Sequence, residues 1–259
     1  MNMIQGAYNS YTYEGITAEL YDLWFDHEPF EDHFFYQKHI RNNGNLALEI
    51  GSGTGRLLLA YLQDDIDVHG IEPSSQMIAI CQEKARRMGV KPLIYQQLME
   101  RLNIQHSYTT IYIPLCAFQL IVNRSEVIES LRRFYLHLDK GGQLLISLFL
   151  PDLSHAQQRV WRVVRTAMRP SDNSSVVLSE AIQNNRFEQI QTKWLRYEIY
   201  REDRLVDTFM KTMQLRWYHQ YAFTMMLERA GFKDVCIYGQ YAERLAIDGD
   251  EALVFSARK

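Results

Sequence analysis

An apolar strand that runs into three closely spaced glycines constrains this chain's fold more than any other feature. Leu46-Ala-Leu-Glu-Ile50 leads into Gly51-Ser-Gly53-Thr-Gly55-Arg56, and a second apolar run ends at His69-Gly70-Ile71-Glu72-Pro73-Ser74. Glycines let a backbone turn sharply and approach a ligand closely. A helix that starts directly after such a turn aims unpaired N–H groups at whatever binds there. An acid at the end of the next strand can accept hydrogen bonds from two ribose hydroxyls. The segment predicts a nucleotide-type cofactor site at the edge of an α/β sheet.

The glycine spacing narrows the cofactor. The dinucleotide fingerprint is Gly-x-Gly-x-x-Gly. Here the third glycine comes one residue early and Arg56 fills the expected position. A pyrophosphate needs an uncluttered helix start, so NAD and FAD fit poorly. A tight strand–helix turn without a ligand is the bland alternative. The Glu-x-Gly-x-Gly-x-Gly spacing, with Glu72 after the next strand, resembles motif I of class I S-adenosylmethionine-dependent methyltransferases. That resemblance implies S-adenosylmethionine as cofactor. Gly51, Ser52, Gly53 and Gly55 would pass under its methionine part. Glu49 would hold the loop and the amino group, and Glu72 would take the ribose hydroxyls. Pro73 and Met77 would lie beside them.

Size and composition fit one large α/β unit. The chain has 259 residues, 47% of them hydrophobic, enough to bury a sizeable core. Lys and Arg number 28 against 31 Asp and Glu, a net charge of -3. No global basic field draws nucleic acid, so none is expected as partner. Cys81, Cys116 and Cys236 are scattered, odd in number and without metal spacing, and read as reduced thiols of a cytoplasmic protein. The start of the sequence has no signal-peptide pattern, and no apolar run approaches the ~20 residues that cross a membrane.

Along the chain, residues 1–44 read as an N-terminal cap of two helices, with Leu20, Leu23, Trp24, Phe34, Phe35 and Ile40 at helical spacing. From 45 to 150 the pattern alternates. Strands are expected near 45–50, 67–71, 92–96, 109–114 and 143–149, with helices near 55–63, 74–88 and 125–138. Met77, Cys81, Ala85 and Met88 share a face of the second helix. Ile128, Leu131, Phe134, Tyr135 and Leu138 supply the third. Near-continuous apolar strands with helical crossovers indicate a parallel sheet covered on both faces.

Residues 151–170 read as helical. The period then changes, with alternation in Lys193–Arg201 and Leu205–Leu215 around a turn at Glu202-Asp203. We read 172–216 as an antiparallel insertion after the fifth strand. The stretch 217–259 returns to the core through a helix at 217–230, a stop at Gly231, a strand at 233–238 and a last strand at 251–257. The expected fold is a Rossmann-like, doubly wound, seven-stranded α/β sheet with a helical cap and a β insertion. The segment 151–216 is expected to cover a substrate pocket, form a homodimer contact, or both.

The family resemblance extends over nearly the whole chain. Tyr13-Glu-Gly-Ile-Thr-Ala-Glu-Leu-Tyr21-Asp22-Leu resembles the N-terminal signature of small-molecule methyltransferases, notably the sugar-amine N-methyltransferases. It implies that Tyr13 and Tyr21 reach the methionine end and the methyl-transfer site. Gln96-Gln97-Leu98-Met99-Glu100 occupies the place of an adenine-side Gly-Asp-Met or Gln-Asp-Met. Leu98 stands where the family has Asp, so the backbone or Gln97 would supply the polar contact, with Met99 packing on the purine. In Ile111-Tyr-Ile-Pro114-Leu115-Cys116-Ala117-Phe118-Gln119, the resemblance implies that Pro114 and Leu115 face the cofactor and that Phe118 and Gln119 point at the transfer site. The sugar-amine enzymes have a His just beyond; here it is Leu120. Ala230-Gly-Phe232 is a structural helix stop.

Methyl transfer needs the nucleophile, methyl and sulfur in line. A neutral amine needs positioning and desolvation, whereas a hydroxyl needs a base. Tyr13 and Gln119 are the catalytic candidates. Gln119 can orient a nucleophile but cannot act as a base near neutral pH. His155 and His219 are the histidines near the insertion. Tyr11, Tyr218 and Tyr221 are further candidates to line a substrate pocket. Phe187, Trp194, Tyr197, Tyr200 and Phe209 form either that lining or the insertion's own core. Asp26, His27, Asp32, His33 and His39 lack the one-face helical spacing of a metal site, and no metal is expected. The reading is a methyltransferase acting at N or O of a small molecule. A protein or RNA methyltransferase, a non-catalytic S-adenosylmethionine-binding protein and an NAD-type oxidoreductase are the rivals.

Overall fold

The computed structural model describes residues 13–25, 31–44, 46–151, 153 and 159–259. Five strands alternate with helices first: β1 Leu46–Ile50, α4 Arg56–Gln63, β2 Asp67–Ile71, α5 Ser75–Met88, β3 Leu93–Tyr95, β4 Tyr108–Ile113, α6 Arg124–His137 and β5 Leu138–Phe149. Preceding them are α1 Ile16–Glu19, α2 Tyr21–Phe25 and α3 Asp32–Asn42. Four strands follow, β6 Arg162–Met168, β7 Ser175–Asn185, β8 Ile190–Arg201 and β9 Arg204–Arg216, then α7 Gln220–Arg229, β10 Lys233–Gly239 and β11 Ala252–Arg258.

The main sheet has the order β10-β11-β5-β4-β1-β2-β3. β3, β2, β1, β4 and β5 pair parallel, while β11 runs antiparallel to β5 and β10 antiparallel to β11. The strand order reverses at β1, so β1 and β4 frame the crevice where open α/β sheets hold ligands. Helices cover both faces. Leu48, Ile50, Ile111 and Ile113 point to one core with α6 and α7; Ala47 and Tyr112 point to the other with α3, α4 and α5.

Caps set the crossover lengths. Ser74 Oγ accepts from Met77 N at 3.2 Å to start α5, and Gly89 in the left-handed region (φ 72°) ends it. Met77, Cys81 and Ala85 form the buried stripe of α5. In α6 the buried stripe is Val127, Leu131 and Phe134, and the expected Ile128 is 56% exposed. The stripe runs back from Leu131 by four residues rather than three.

The smaller sheet, β6-β7-β8-β9, is antiparallel throughout and lies in the chain between β5 and the return to the main sheet. It begins before residue 172. The helix expected over 151–170 is corrected by β6, where Val163, Val164 and Thr166 are β-branched residues that suit a strand paired on β7. One face of this sheet packs Val176, Leu178, Leu195, Tyr197, Ile199, Met213 and Leu215 on Leu20 and Trp24 of the cap and on Leu120. Of the five aromatics expected as insertion core or pocket lining, Tyr197 is buried in that layer and Phe187 stands 93% exposed. Among its described residues the cap has three helices rather than two, and Phe34 faces outward while Phe35 is buried.

Candidate active site

The end of β1 is stitched to the end of β2. Gly51 N and Ser52 N both donate to Ile71 O, at 2.8 and 3.0 Å. The turn then reverses direction at Gly53 (φ 54°) and Gly55 (φ 85°). A Cβ on Gly55 would lie 2.5 Å from Cys81 Sγ and 2.8 Å from Leu59 Cγ, so this glycine lets α4 pack on α5. A Cβ on Gly53 would meet nothing nearer than Met77 Cε at 3.7 Å, because Gly53 borders open space.

That space is a cavity of about 230 Å³, many times the ~10–15 Å³ a single water needs. Glu72 stands at its edge, 5% exposed. Its Oε2 accepts from Gly53 N and its Oε1 from Ser74 N, both at 2.9 Å. Burial pushes its carboxyl above the usual range, and the two backbone bonds oppose that shift. Each oxygen keeps a second lone pair for a ligand hydroxyl.

Glu49 and Arg56 flank the turn on the cavity floor. The Tyr112 hydroxyl donates to Glu49 Oε2 at 2.9 Å. Burial pushes the Glu49 carboxyl up to about 8, against the pull of Tyr112 and Arg56. Arg56 is held by Asp32 through Nη1 to Oδ1 at 2.8 Å and Nη2 to Oδ2 at 2.6 Å. Burial disfavours its charge, and the Asp32 bonds outweigh that.

The remaining walls come from four directions. Gly51, Ser52, Pro73 and Met77 line the turn side; Leu98 and Met99 line one end; Pro114 and Leu115 close the side under β4. Leu115 has a left-handed backbone (φ 52°), which a branched side chain adopts only where its surroundings enforce it. Tyr13 and Tyr21 close the cap side, ring edge to ring face at 5.4 Å. The Ser74 hydroxyl donates to Tyr13 O at 2.6 Å, and Thr54 Oγ1 donates to Asp22 Oδ1 at 2.5 Å. These bonds tie the cap to the turn.

Of the residues expected to bind cofactor, all but Gly55 line this cavity. Gly55 is corrected to a packing role by its contacts with α4 and α5. Gln119 is corrected too. Its side chain is fully buried, Nε2 donates to Phe149 O and Arg216 O at 3.1 Å, and Oε1 accepts from Phe149 N at 2.8 Å. An amide so occupied joins loops and does not face an acceptor. Phe118 likewise packs on Phe134, Tyr218 and Phe223 in the core. The Gln97 side chain is spent on Asn103. Tyr221 and His219 are exposed, and Tyr11, Asp26, His27 and His155 lie outside the described residues. Sequence reasoning missed Phe25, Thr54, Arg56, Cys116, Ala117 and Leu120, which also line the cavity. Arg56 had a signal, since it opens the helix after the turn.

The donor set suits a nucleoside joined to an amino acid. Glu72 offers acceptor oxygens suited to two hydroxyls, Leu98 and Met99 offer an apolar wall to a ring, and Glu49 sets a carboxyl beside the Arg56 guanidinium. Among the described residues no cluster of three His, Cys, Asp or Glu is placed to hold a metal.

The comparisons with known proteins agree. A sequence model of the methyltransferase domain family matches residues 47–142, the stretch from β1 to β5 that carries the turn and Glu72. Residues 47–142 thus carry a methyltransferase domain. A Geobacillus sp. (strain WCH70) protein named as a methyltransferase is 26% identical over 170 residues, 64% of this chain and 66% of that protein. An S-adenosylmethionine-dependent methyltransferase from Clostridium acetobutylicum ATCC 824 has a similar structure, with TM-score 0.76 and 16% identity over 93% of this chain and 96% of that one. The sugar N-methyltransferase KedS8 from Streptoalloteichus sp. ATCC 53650 superposes over the full length of both chains, with TM-score 0.72 and 17% identity. The cofactor of this methyltransferase domain is S-adenosylmethionine.

Proposed function

We propose that the protein methylates a small molecule, at nitrogen in preference to oxygen. The observation that carries this reading is the chemistry of the cavity's cap side. Among the described residues lining it there is no histidine, and besides Glu49, Arg56 and Glu72 around the glycine turn the titratable groups are Tyr13, Tyr21 and Cys116. Burial pushes all three upward, so each holds its proton at neutral pH. Such groups donate hydrogen bonds but do not take protons from a hydroxyl. An amine that arrives neutral needs no base.

Bound S-adenosylmethionine supplies a methyl group activated by its sulfonium. The chain's residues hold and orient. Glu72 receives the ribose hydroxyls while bracing Gly53 and Ser74. Leu98 and Met99 pack the adenine, and its polar edge is left to backbone. Tyr13 and Tyr21 close the methionine end, and Cys116, Ala117 and Leu120 keep water from the transfer side. We assign 45–150 as the cofactor core, 1–44 as the cap, 151–216 as a lid over the acceptor and 217–259 as completion of the core. Cys81, Cys116 and Cys236 are free thiols, which suits a reducing cytoplasm, and no described helix is long and apolar enough to cross a membrane. The small-molecule acceptor is supported by the likeness to KedS8.

The test has two stages. Isothermal titration with S-adenosylhomocysteine, with NADH as control, is expected to give micromolar binding and silence respectively. Methyl transfer from labelled S-adenosylmethionine is then compared between amino sugars and matched hydroxyl sugars. Transfer is expected to the amines, faster as pH rises and frees their lone pair. Transfer to hydroxyls alone overturns the nitrogen preference.

A further inference from the structure

Charge collects around Leu195 on the inner face of the smaller sheet. The strand register sets Glu180 of β7 and Lys211 of β9 on either side of Leu195, and Lys193 lies two residues before it on β8. Residues two apart on a strand share a face, so all three charged residues lie on the face that meets the cap. That face is apolar around them. Leu178, Tyr197 and Met213 are buried there with Leu20, Trp24 and Leu120.

The two lysines approach the transfer end of the cavity. Lys193 Nζ lies 3.8 Å from Glu180 Oε2 and 5.9 Å from the centre of the Phe149 ring. Its charge favours the Cys116 thiolate, although burial keeps that thiol protonated. Lys211 Nζ donates to Thr17 Oγ1 at 3.1 Å and stands 5.2 Å from the centre of the Tyr13 ring. Burial pushes the Lys211 ammonium below the usual lysine value, and Glu14 opposes that shift. Cys116 and Tyr13 both line the cavity.

Holding a layer together does not need these charges. Half-buried ammonium groups lose solvation, and like charges repel. Lys193 and Lys211 are diagonal neighbours on adjacent strands, about 7–8 Å apart at Cα, from which two long side chains can close on one anion. Glu180 offsets one charge from within the layer, whereas Glu14 is exposed and screened by water. A positive surplus remains, and a bound anion would offset the cost of burying it. The surplus also disfavours a protonated amine at the transfer end, in keeping with a reaction that needs no base.

We propose that Lys193 and Lys211 form an anion site for the acceptor: the molecule that is methylated carries a carboxylate or phosphate group, which the two lysines hold while its amine faces Tyr13 and Cys116. This rests on the reading that a small-molecule acceptor enters between the lid and the cofactor.

The test uses the chain loaded with S-adenosylhomocysteine, so that the cofactor cavity is filled. Thermal melts in phosphate and in acetate are compared with chloride at equal ionic strength. One of the two anions, at about 20 mM, is expected to raise Tm by about 2–4 °C. Lys193→Met and Lys211→Met, each compared with itself in chloride, are expected to lose that rise, and Lys193→Arg to keep it. If Lys211→Met does not fold, the two Lys193 variants carry the test. Equal Tm in all three anions, or a rise that survives in the methionine variants, overturns the site. Methyl transfer then compares a hexosamine with its phosphate ester and its uronic acid. The ester is expected to be preferred where phosphate raised Tm, and the uronic acid where acetate did. The preferred acid should show a KM at least about 10-fold below that of the neutral parent, and Lys193→Met should lose the difference. Equal KM for all three overturns the acceptor role. Transfer to hydroxyl sugars alone, with the Tm rise intact and dependent on the lysines, overturns the nitrogen preference and supports the anion site.

Discussion

Glu49 is a neutral acid at pH 7 before any ligand arrives, because burial holds its carboxyl up to about 8. The ordinary glutamate value in an unfolded chain is ~4.3. Between those values the folded chain keeps a proton that the unfolded chain releases. Stability of the unliganded protein therefore falls as pH rises through that window, and the contribution is gone above the folded value. A ligand ammonium reverses the preference and favours the ionised carboxylate. Binding at pH 7 should expel a proton. Titrations of S-adenosylhomocysteine in phosphate and in Tris at pH 7 should give heats that differ by roughly the difference in buffer ionisation enthalpy, corresponding to about one proton. The difference should shrink toward pH 8 and above, and Glu49→Gln should abolish it. Heats identical in both buffers would remove Glu49 from contact with the ammonium.

The β8–β9 hairpin shows how an element can be legible while its turn is suboptimal. Arg201 pairs with Arg204, so Glu202 and Asp203 form a two-residue loop, with φ of 47° and 58°. Both lie in the left-handed region, the requirement of a type I′ turn, for which Asn-Gly is the favoured pair. Glu202→Asn/Asp203→Gly should stabilise the protein by about 1 kcal/mol and raise Tm by about 2–4 °C, with unchanged S-adenosylhomocysteine affinity. An unchanged or lower Tm in a thermal melt would contradict the turn assignment. The alternation of Leu195, Tyr197 and Ile199 made this hairpin readable, and the glycine turn with its flanking strands made the cofactor edge readable. β6 was not readable. Its run Arg162-Val-Val-Arg-Thr-Ala-Met has no clear period, and pairing with β7 decides its state. In α6, Val127 and Ile128 are adjacent apolar residues, and only packing against β4 and β5 selects the first.

At the scale of the whole molecule, the cavity's outer boundary depends on how the two sheets are joined, and that junction is where sequence reasoning went furthest astray. Gln119 sits in the loop after β4, beside true cavity residues, so its neighbours suggested a role in chemistry. Its partners are 30 and 97 residues away in sequence, at the end of β5 and the end of β9. No local pattern records such a contact. Arg216 reinforces the junction, with Nε donating to Val122 O at 2.8 Å and Nη1 to Glu188 O at 2.5 Å. Gln119→Leu leaves buried backbone groups without partners and should cost about 2–4 kcal/mol, lowering Tm by roughly 5–10 °C. Below the melt, S-adenosylhomocysteine should bind as to the wild type, since Gln119 does not line the cavity. Gln119→Glu adds a sharper readout. One carboxylate oxygen still accepts from Phe149 N, but the other meets the carbonyls of Phe149 and Arg216, which only a protonated acid can satisfy. The folded value of that carboxyl must rise, so the variant should approach wild-type stability at low pH and lose it as pH increases. If methyl transfer collapses in Gln119→Leu while its Tm holds, Gln119 orients an acceptor after all and the junction is not what closes the site.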